Sequence, residues 1–476
     1  MDQDEFSKPH AKFNDGTVEK KPKDCLLDHM EISVSEAEKR ATGTLNIRDF
    51  YTVYLIETKV TDSDWKGALN NTCALWRRYS EFELLRSDLE MAYPYIVMPT
   101  LPEKRVMYAW QKVATDTFDP DFVDRRRVGL ESFLLRVASH PILSHDSLFM
   151  SFLQKEEGWR DTVKDSGYSI FSESRFKAFS VSVRLKQPDK RFESIKNYGA
   201  ELQSHTGELL RVRAKLAGSL FNLHRLHANY GRVFSEWSAI EKEMGDGLQK
   251  AGHYLDSLAL GVDSILEEEE LIADQFKEYL FFGAALQNVC KRREALQLEV
   301  EQAEGLVSAK SQEKEKVQLG KMGIMSRLFG SVDTDEVREL KVNALDQRIE
   351  EGRSSVKAAR DRLNTFSGKA LVDIERFQAQ KAVDLRETLA SFVVLQIKMS
   401  RKVYGTIEKL INNDNMKLLV SKFGIKVSRF YKGSPRDFKP GPVSANVWKA
   451  YHDQAINKIV NKVLEELINV TYLCII

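Results

Sequence analysis

Apolar and polar residues alternate with a period of two in the first patterned part of the chain. The alternation runs through two segments: Met30, Ile32 and Val34, and Tyr51, Val53 and Leu55. Because successive side chains of a strand point to opposite faces, this pattern predicts two strands. A third, shorter strand is predicted from Cys73 to Arg77.

Helical spacing follows these strands. Glu81 to Met91 predicts one helix, which Pro94 ends, and Phe122 to His140 predicts a second, which Pro141 stops. Between them, Pro99-Thr100-Leu101-Pro102 predicts an extended turn. Residues 27–155 are therefore predicted to form an α+β module with a three-stranded antiparallel sheet.

The two segments that flank this module have weaker patterns. Residues 1–26 lack periodicity and apolar anchors, which predicts a disordered tail. Residues 156–187 have two interpretations: a linker, or an amphipathic segment that contacts membrane within 165–187. The alternation of Phe179, Val181 and Val183 favours an extended conformation in its second half, so both interpretations stay open.

After Pro188 the chain is predicted to be almost wholly helical, up to about residue 410. Apolar residues recur there at three-four spacing, which is typical of long helices packed side by side. A middle helix over 249–318 would be on the order of 100 Å long. The segment Gly320 to Ser331 is predicted to interrupt it, giving a hairpin of long helices. From periodicity alone, a plain coiled-coil spacer is the alternative.

The C-terminal segment, residues 411–476, has one more apolar pattern. Trp448, Ile456 and Ile459 begin a spacing that fits an amphipathic helix. An extension without a helical role fits equally well, so no function is assigned to this segment.

The composition of the chain limits which kinds of molecule it is expected to bind and where in the cell it is expected to work. Lys and Arg total 71 against 70 for Asp and Glu, so the chain as a whole does not predict nucleic-acid binding, and an anionic partner has to be met by local patches. The four cysteines lie far apart and lack metal-ligand spacing, which predicts reduced thiols in a cytosolic protein. We expect neither a signal peptide nor a transmembrane helix.

One basic stretch of the module predicts a binding site. Arg78, Tyr79 and Ser80 lie at the start of the first helix, and the Pro-rich turn closes on Lys104. Cations beside an aromatic face suit a phosphorylated ring, because guanidinium and ammonium groups bind the phosphates and the tyrosine supplies a flat wall. Arg126 lies on the second helix, where it can contribute a further cation. The alternative is a solvated helix end.

Other residues predict membrane contact. Val106, Met107 and Tyr108 form a small apolar tip after the Pro-rich turn, and Leu328 and Phe329 end a loop that is both apolar and basic. Two basic runs, Arg211-Val212-Arg213 and Lys291-Arg292-Arg293, are candidate patches for an anionic surface, and a solvated face balanced by nearby acids is the alternative for each. The acidic run Glu267 to Glu270 should point away from lipid.

The order of these motifs resembles PX domains, the phosphoinositide-binding modules of sorting nexins. The resemblance is carried by Trp-Arg-Arg-Tyr-Ser-Glu-Phe at 76–82, by the turn that ends in Lys104, and by Phe122 to Phe133. It implies that Arg78, Lys104 and Arg126 contact phosphatidylinositol 3-phosphate, with Tyr79 and Ser80 beside them. In this assignment Arg78 binds a ring phosphate, Lys104 the phosphate linked to diacylglycerol, and Arg126 the ring hydroxyls.

The helical half resembles the PX-BAR sorting nexins. Motifs such as Gln187 to Phe192, Asn229 to Leu248 and Glu278 to Phe282 carry this resemblance. It implies a BAR domain over 188–410, with three long antiparallel helices that dimerise into a six-helix bundle. The implied partners are a second copy or sorting nexins 7 or 30. The implied place is the cytosolic face of early and recycling endosomes, in cargo retrieval and autophagy.

The sequence also bears on two other classes of protein, an enzyme and a coiled-coil tether. An enzyme is not expected, because the chain has no Gly-rich phosphate loop, no H-E-x-x-H and no G-x-S-x-G. Accordingly no catalytic residue, metal or cofactor is predicted. A coiled-coil tether that uses the PX domain only as a membrane address is the remaining alternative.

Overall fold

The computed structural model of this protein describes residues 25–42, 49–62, 72–104, 118–156, 158–159, 185–242, 245–319 and 335–412. These residues fall into two units. One is drawn from residues 1–85 and 130–166, and the other from residues 86–129 and 167–476. The stretch from 86 to 129 therefore groups with the long helices that follow it.

The sheet confirms the three predicted strands. β1 (Met30–Thr42), β2 (Asp49–Val60) and β3 (Thr72–Arg78) are antiparallel neighbours in that order. Val34 of β1 lies opposite Ile56 of β2, which in turn lies opposite Leu75 of β3. All three are buried, so one row of apolar side chains crosses the whole sheet.

Three helices accompany the sheet along the chain. They are α1 (Tyr79–Ala92), α2 (Pro120–Ala138) and α3 (Ser147–Gln154). The first two confirm the predicted helices to within two residues at each end, whereas the short α3 was not predicted. Asp146 begins α3, because its carboxylate accepts hydrogen bonds from the N–H groups of Leu148 and Phe149, each at 2.9 Å.

An aromatic cluster forms the core of the first unit. The rings of Phe82 and Phe152 meet edge to face at 5.1 Å, and Trp159 packs against Phe152 at 5.0 Å. The indole N–H of Trp159 donates to Glu81 at 3.0 Å. Trp159 is thus a core residue, although the sequence pattern places it in the linker.

Three long helices make up most of the second unit. They are α4 (Lys190–Ser238), α5 (Gly245–Gln318) and α6 (Asp335–Asn412). With 74 residues, α5 is about 110 Å long. It begins four residues before the predicted start and ends at the predicted residue.

Neighbouring long helices run antiparallel. Leu210 of α4 packs in one cluster with Leu280, and Ala217, further along α4, packs with the earlier Val262. Between α5 and α6, Arg360 bonds to Glu304 and Lys398 bonds to Glu268. Because residue numbers rise on one helix as they fall on the other, the structure confirms three long antiparallel helices.

Two glycines allow α4 and α5 to approach closely. A Cβ on Gly199 would lie 3.1 Å from the carbonyl oxygen of Gly283, and a Cβ on Gly283 would lie 2.8 Å from the carbonyl oxygen of Gly199. A side chain at Gly283 would therefore push the two backbones apart. Gly283 lies within the apolar spacing that predicts α5. Its contribution to packing is the absence of a side chain, which lets the backbone of α4 come close.

The N-terminus of α4 is held by Asp189, and this predicts a pH dependence. The Asp189 carboxylate accepts from the backbone N–H of Arg191 at 3.0 Å and pairs with the buried Arg293 at 3.3 Å. Hydrogen bonding from the Arg191 side chain, with the charge of Arg293, holds the pKa of Asp189 below its usual value. A lowered pKa stabilises the fold above the unfolded-state pKa of about 4, and this stabilisation is lost as pH falls.

We therefore expect Asp189→Asn to lower the free energy of unfolding at neutral pH by about 1–3 kcal/mol, because the charge-assisted bonds are lost. Urea unfolding across a pH series measures this. The difference from wild type should shrink below about pH 4, where Asp189 itself becomes protonated. Asp361→Asn, which neutralises an exposed carboxylate of α6, is the control and should follow wild type at every pH. An Asp189→Asn curve parallel to wild type would contradict the expectation.

Candidate functional site

Arg78 is the last residue of β3 and directly precedes α1. Its guanidinium carbon lies 3.4 Å from the ring centroid of Tyr51, on the adjacent strand β2. This cation–π contact orients the side chain, which is half-buried. The backbone N–H of Arg78 donates to the Glu81 carboxylate at 2.7 Å, which fixes the turn from strand to helix. The sequence pattern identifies Tyr51 only as a strand residue, because its contact with Arg78 depends on the pairing of β2 with β3.

Tyr79 and Ser80 are the first two residues of α1, and Tyr79 is half-buried while Ser80 is exposed. The first N–H groups of a helix have no partner within the helix and carry a partial positive charge. This end of α1 therefore suits an anion, as the sequence predicts.

The adjacent arginine, Arg77, lies on the opposite face of β3 and is 1% exposed. Its side chain donates to the carbonyl oxygens of Phe152 at 2.8 Å and Glu156 at 3.1 Å, and to that of Lys155. These carbonyls lie at the C-terminal end of α3, where a cation is stabilising. Of the two neighbouring arginines, only Arg78 is placed to meet a ligand.

Lys104 and Arg126 are brought together within the second unit. The Arg126 guanidinium donates to the backbone carbonyl of Lys104 at 2.9 Å and lies 4.4 Å from the ring centroid of Phe122. Arg126 is only 8% exposed, whereas Lys104 is exposed. Arg126 thus holds the backbone that presents Lys104, a role that the sequence did not indicate.

Three of the cations in the predicted basic patches are buried in ion pairs. Arg292 pairs with Glu90 at 2.6 Å, Arg293 with Asp189, and Arg213 with Glu269 and Glu270. Of the two interpretations of these runs, membrane contact is excluded for these three guanidinium groups, because carboxylates already neutralise them away from solvent. Lys291 and Arg211 are the exposed members of the two runs.

Residues of the acidic run at 267–270 also form ion pairs with neighbouring helices. Glu268 pairs with Lys398 on α6, while Glu269 and Glu270 face Arg213 on α4. Burial raises the pKa of Glu269 even though Arg213 opposes this. This run therefore joins helices within the bundle.

The remaining predictions concern the apolar tips, the cysteines and metal binding. The apolar tips, Val106 to Tyr108 with Leu328 and Phe329, lie outside the described residues. Cys25, Cys73 and Cys290 are free thiols. Burial raises the pKa of Cys290 to about 12, which keeps this thiol protonated and unreactive. Within the described ranges, no cluster of His, Cys, Asp and Glu is suited to a metal ion.

Among the described helices, none combines the length and the apolar character that crossing a bilayer requires.

Comparison with known proteins places these residues in a family. Residues 67–156 match the PX domain, and this range contains all five predicted contacts. Together with the antiparallel sheet and the long helices, the match defines a PX-domain protein with a helical BAR region. Sorting nexin-4 of Mus musculus and that of Homo sapiens are each 50% identical to the chain over 384 residues, 79% of this chain and 85% of the relative. Sorting nexin-30 of Mus musculus is 24% identical over 367 residues, 76% of this chain and 73% of the relative.

The chain therefore belongs to the sorting nexin-4 family of PX-BAR sorting nexins. It is accordingly a membrane-associated sorting nexin.

Proposed function

We propose that this protein binds phosphatidylinositol 3-phosphate through Arg78, Tyr79, Ser80, Lys104 and Arg126. The contact between Arg78 and Tyr51 carries the proposal, because an aromatic ring orients the guanidinium while leaving its charge for an anion. The exposed Lys104 adds an ammonium group that can bind a second phosphate. The PX match covers residues 67–156 and so includes all five residues, which supports the proposal.

We also propose that the long helices dimerise, because α4 has an exposed apolar stripe, here named the α4 stripe. Its eight members are each at least 42% exposed: Leu209, Val212, Leu216, Leu223, Leu226, Tyr230, Val233 and Trp237. Their spacings of three, four and seven residues form a heptad repeat, which is the pattern of helices that pack against a partner helix. The partner is a second copy of the chain, or sorting nexin 7 or 30.

Together these features support a non-enzymatic coat protein on the cytosolic face of early and recycling endosomes. A dimer that holds two lipid sites binds membrane more tightly than either site alone. The helical bundle senses or stabilises curved membrane, and the protein acts in recycling and retrieval of cargo and in autophagy. A tether that uses the PX domain only as an address is the second candidate, and vesicle curvature separates the two.

Liposome co-sedimentation at several vesicle diameters tests the proposal. Wild type is expected to favour small vesicles that contain phosphatidylinositol 3-phosphate. Arg78→Ala should lower the affinity roughly ten- to a hundredfold, which corresponds to one lost charge-assisted contact. Arg127→Ala is the matched control, because Arg127 lies on α2 and pairs with Asp124 at 2.8 Å.

Two results would contradict parts of the proposal. If Arg78→Ala binds as well as wild type, the assignment of the phosphate site is wrong. If wild type binds vesicles of every diameter alike and leaves their shape unchanged, the tether is the better description.

A further inference from the structure

Two residues that flank the proposed lipid contacts are ion-paired to the same face of α5. A carboxylate oxygen of Glu103 lies 3.1 Å from the ammonium nitrogen of Lys277. The Arg125 guanidinium lies 2.6 Å from a carboxylate oxygen of Glu270. Asp274 connects the two pairs, since it lies 2.8 Å from Lys277 and 3.7 Å from Arg125.

We name Glu270, Asp274 and Lys277 the α5 charge cluster. Their spacing of four and three residues places them on one side of the helix. Lys277 is 4% exposed, and the Glu103 side chain is almost as buried. Burial alone would lower the pKa of Lys277, but the Asp274 and Glu103 carboxylates outweigh it and leave the pKa raised. Lys277 is therefore charged at neutral pH.

The cluster reaches the lipid contacts through the backbone. Glu103 directly precedes Lys104, and the Arg126 guanidinium donates to the Lys104 carbonyl. Arg125 directly precedes Arg126. The pairs Glu103–Lys277 and Arg125–Glu270 thus fix the backbone on the N-terminal side of both cations that are proposed to contact the headgroup.

We propose that the α5 charge cluster positions Lys104 and Arg126, so that affinity for the phosphoinositide headgroup depends on a helix of the BAR region. Glu103 and Lys277 are the positioning residues. The inference rests on the proposed phosphatidylinositol 3-phosphate binding. It also means that lipid affinity and the packing of α5 are linked. Removing one partner of a buried ion pair leaves the other charge buried without its partner, which disturbs both ends of the contact.

The direction in which one substitution changes the affinity distinguishes positioning from simple electrostatics. Glu103→Gln removes a negative charge next to a phosphate-binding lysine, so electrostatics alone predicts tighter binding. Positioning predicts weaker binding, by roughly 2- to 30-fold. Asp124→Asn removes an exposed negative charge two residues before Arg126, from a carboxylate that bonds Arg127 on the same helix. This control should bind as tightly as wild type or more tightly.

The measurement is the affinity of the full-length protein for phosphatidylcholine vesicles that contain phosphatidylinositol 3-phosphate. Vesicles that carry the same charge as phosphatidylserine show how much of the affinity is due to charge alone. Lys277→Met should weaken binding in the same range as Glu103→Gln, and Lys277→Arg should restore it. Should Lys277→Met fail to fold, Glu103→Gln still decides, since Lys277 keeps its bond to Asp274.

Each outcome is decisive. Weaker binding by Glu103→Gln, with Asp124→Asn at or above wild-type affinity, supports positioning. Unchanged or tighter binding by Glu103→Gln overturns it and leaves the proposed function standing. If wild type shows no preference for phosphatidylinositol 3-phosphate over phosphatidylserine, the proposed function fails, and the inference fails with it.

Discussion

Replacing Arg77 with methionine is expected to lower the free energy of unfolding of the first unit by about 3–5 kcal/mol, whereas Arg78→Ala should change it by only about 0.5 kcal/mol. The buried Arg77 side chain satisfies carbonyl oxygens of Phe152, Lys155 and Glu156. Without it, the buried Phe152 carbonyl loses its partner, which costs about 1–3 kcal/mol, and the part-buried carbonyls of Lys155 and Glu156 lose theirs at a smaller cost.

The aromatic core adds to this effect. The Arg77 guanidinium lies 5.0 Å from the ring centroid of Phe152 and 5.3 Å from that of Trp159. Arg77→Lys should recover only part of the stability, because an ammonium group cannot donate to several carbonyls in the geometry of a guanidinium fork.

Urea unfolding of the full chain, with hydrogen exchange of the α3 amides, measures both quantities. Arg78→Ala is the matched control, since it is the neighbouring residue of the same type on the same strand. An Arg77→Met protein with wild-type exchange in α3 would show that the carbonyl bonds contribute little to stability.

Introducing glutamates into the α4 stripe is expected to abolish dimerisation. Leu226→Glu combined with Val233→Glu replaces two exposed apolar side chains with charges. Burying each apolar side chain contributes about 1.5–3 kcal/mol, so the loss of two should weaken association at least about a hundredfold. In a homodimer each substitution occurs twice, which increases the effect.

Sedimentation velocity over a range of protein concentrations measures this. Arg225→Glu is the control, because Arg225 is exposed on α4 but lies outside the heptad positions of the stripe. Circular dichroism should show that each variant keeps its helices. A double-glutamate variant that remains dimeric would place the interface elsewhere. A wild type that is monomeric alone but associates with sorting nexin 7 or 30 would assign the stripe to the heterodimer.

The helices and strands were largely predictable because each has an internal period. The three-four spacing within α5 identifies a long helix, and the Gly-containing segment that begins at Gly320 predicts its end at Gln318. The short α3 and the buried Trp159 were missed. An eight-residue helix spans too few turns to establish a period, and a single tryptophan has no pattern at all.

Which face of β2 is buried could be determined only from the tertiary structure. The alternation of Tyr51, Val53 and Leu55 predicts the strand, yet Tyr54 and Ile56 are the residues that are fully buried. Both faces of this strand carry apolar side chains, so the alternation identifies a strand without showing which face the rest of the unit covers.

The sequence by itself determined the class of protein and the contacts proposed for the lipid, because local order carries those motifs: an arginine, a tyrosine and a serine at a strand–helix junction, and a lysine after a Pro-rich turn. Only the tertiary structure decided which of the cationic side chains can bind a ligand and which are paired inside the fold. Arg77 and Arg78 are neighbours, but the two faces of β3 separate their roles. Arg292 looks like a surface residue until folding brings Glu90, 202 residues away in sequence, to within 2.6 Å. A charge is neutralised by whatever lies close to it in space, and sequence distance gives no measure of that.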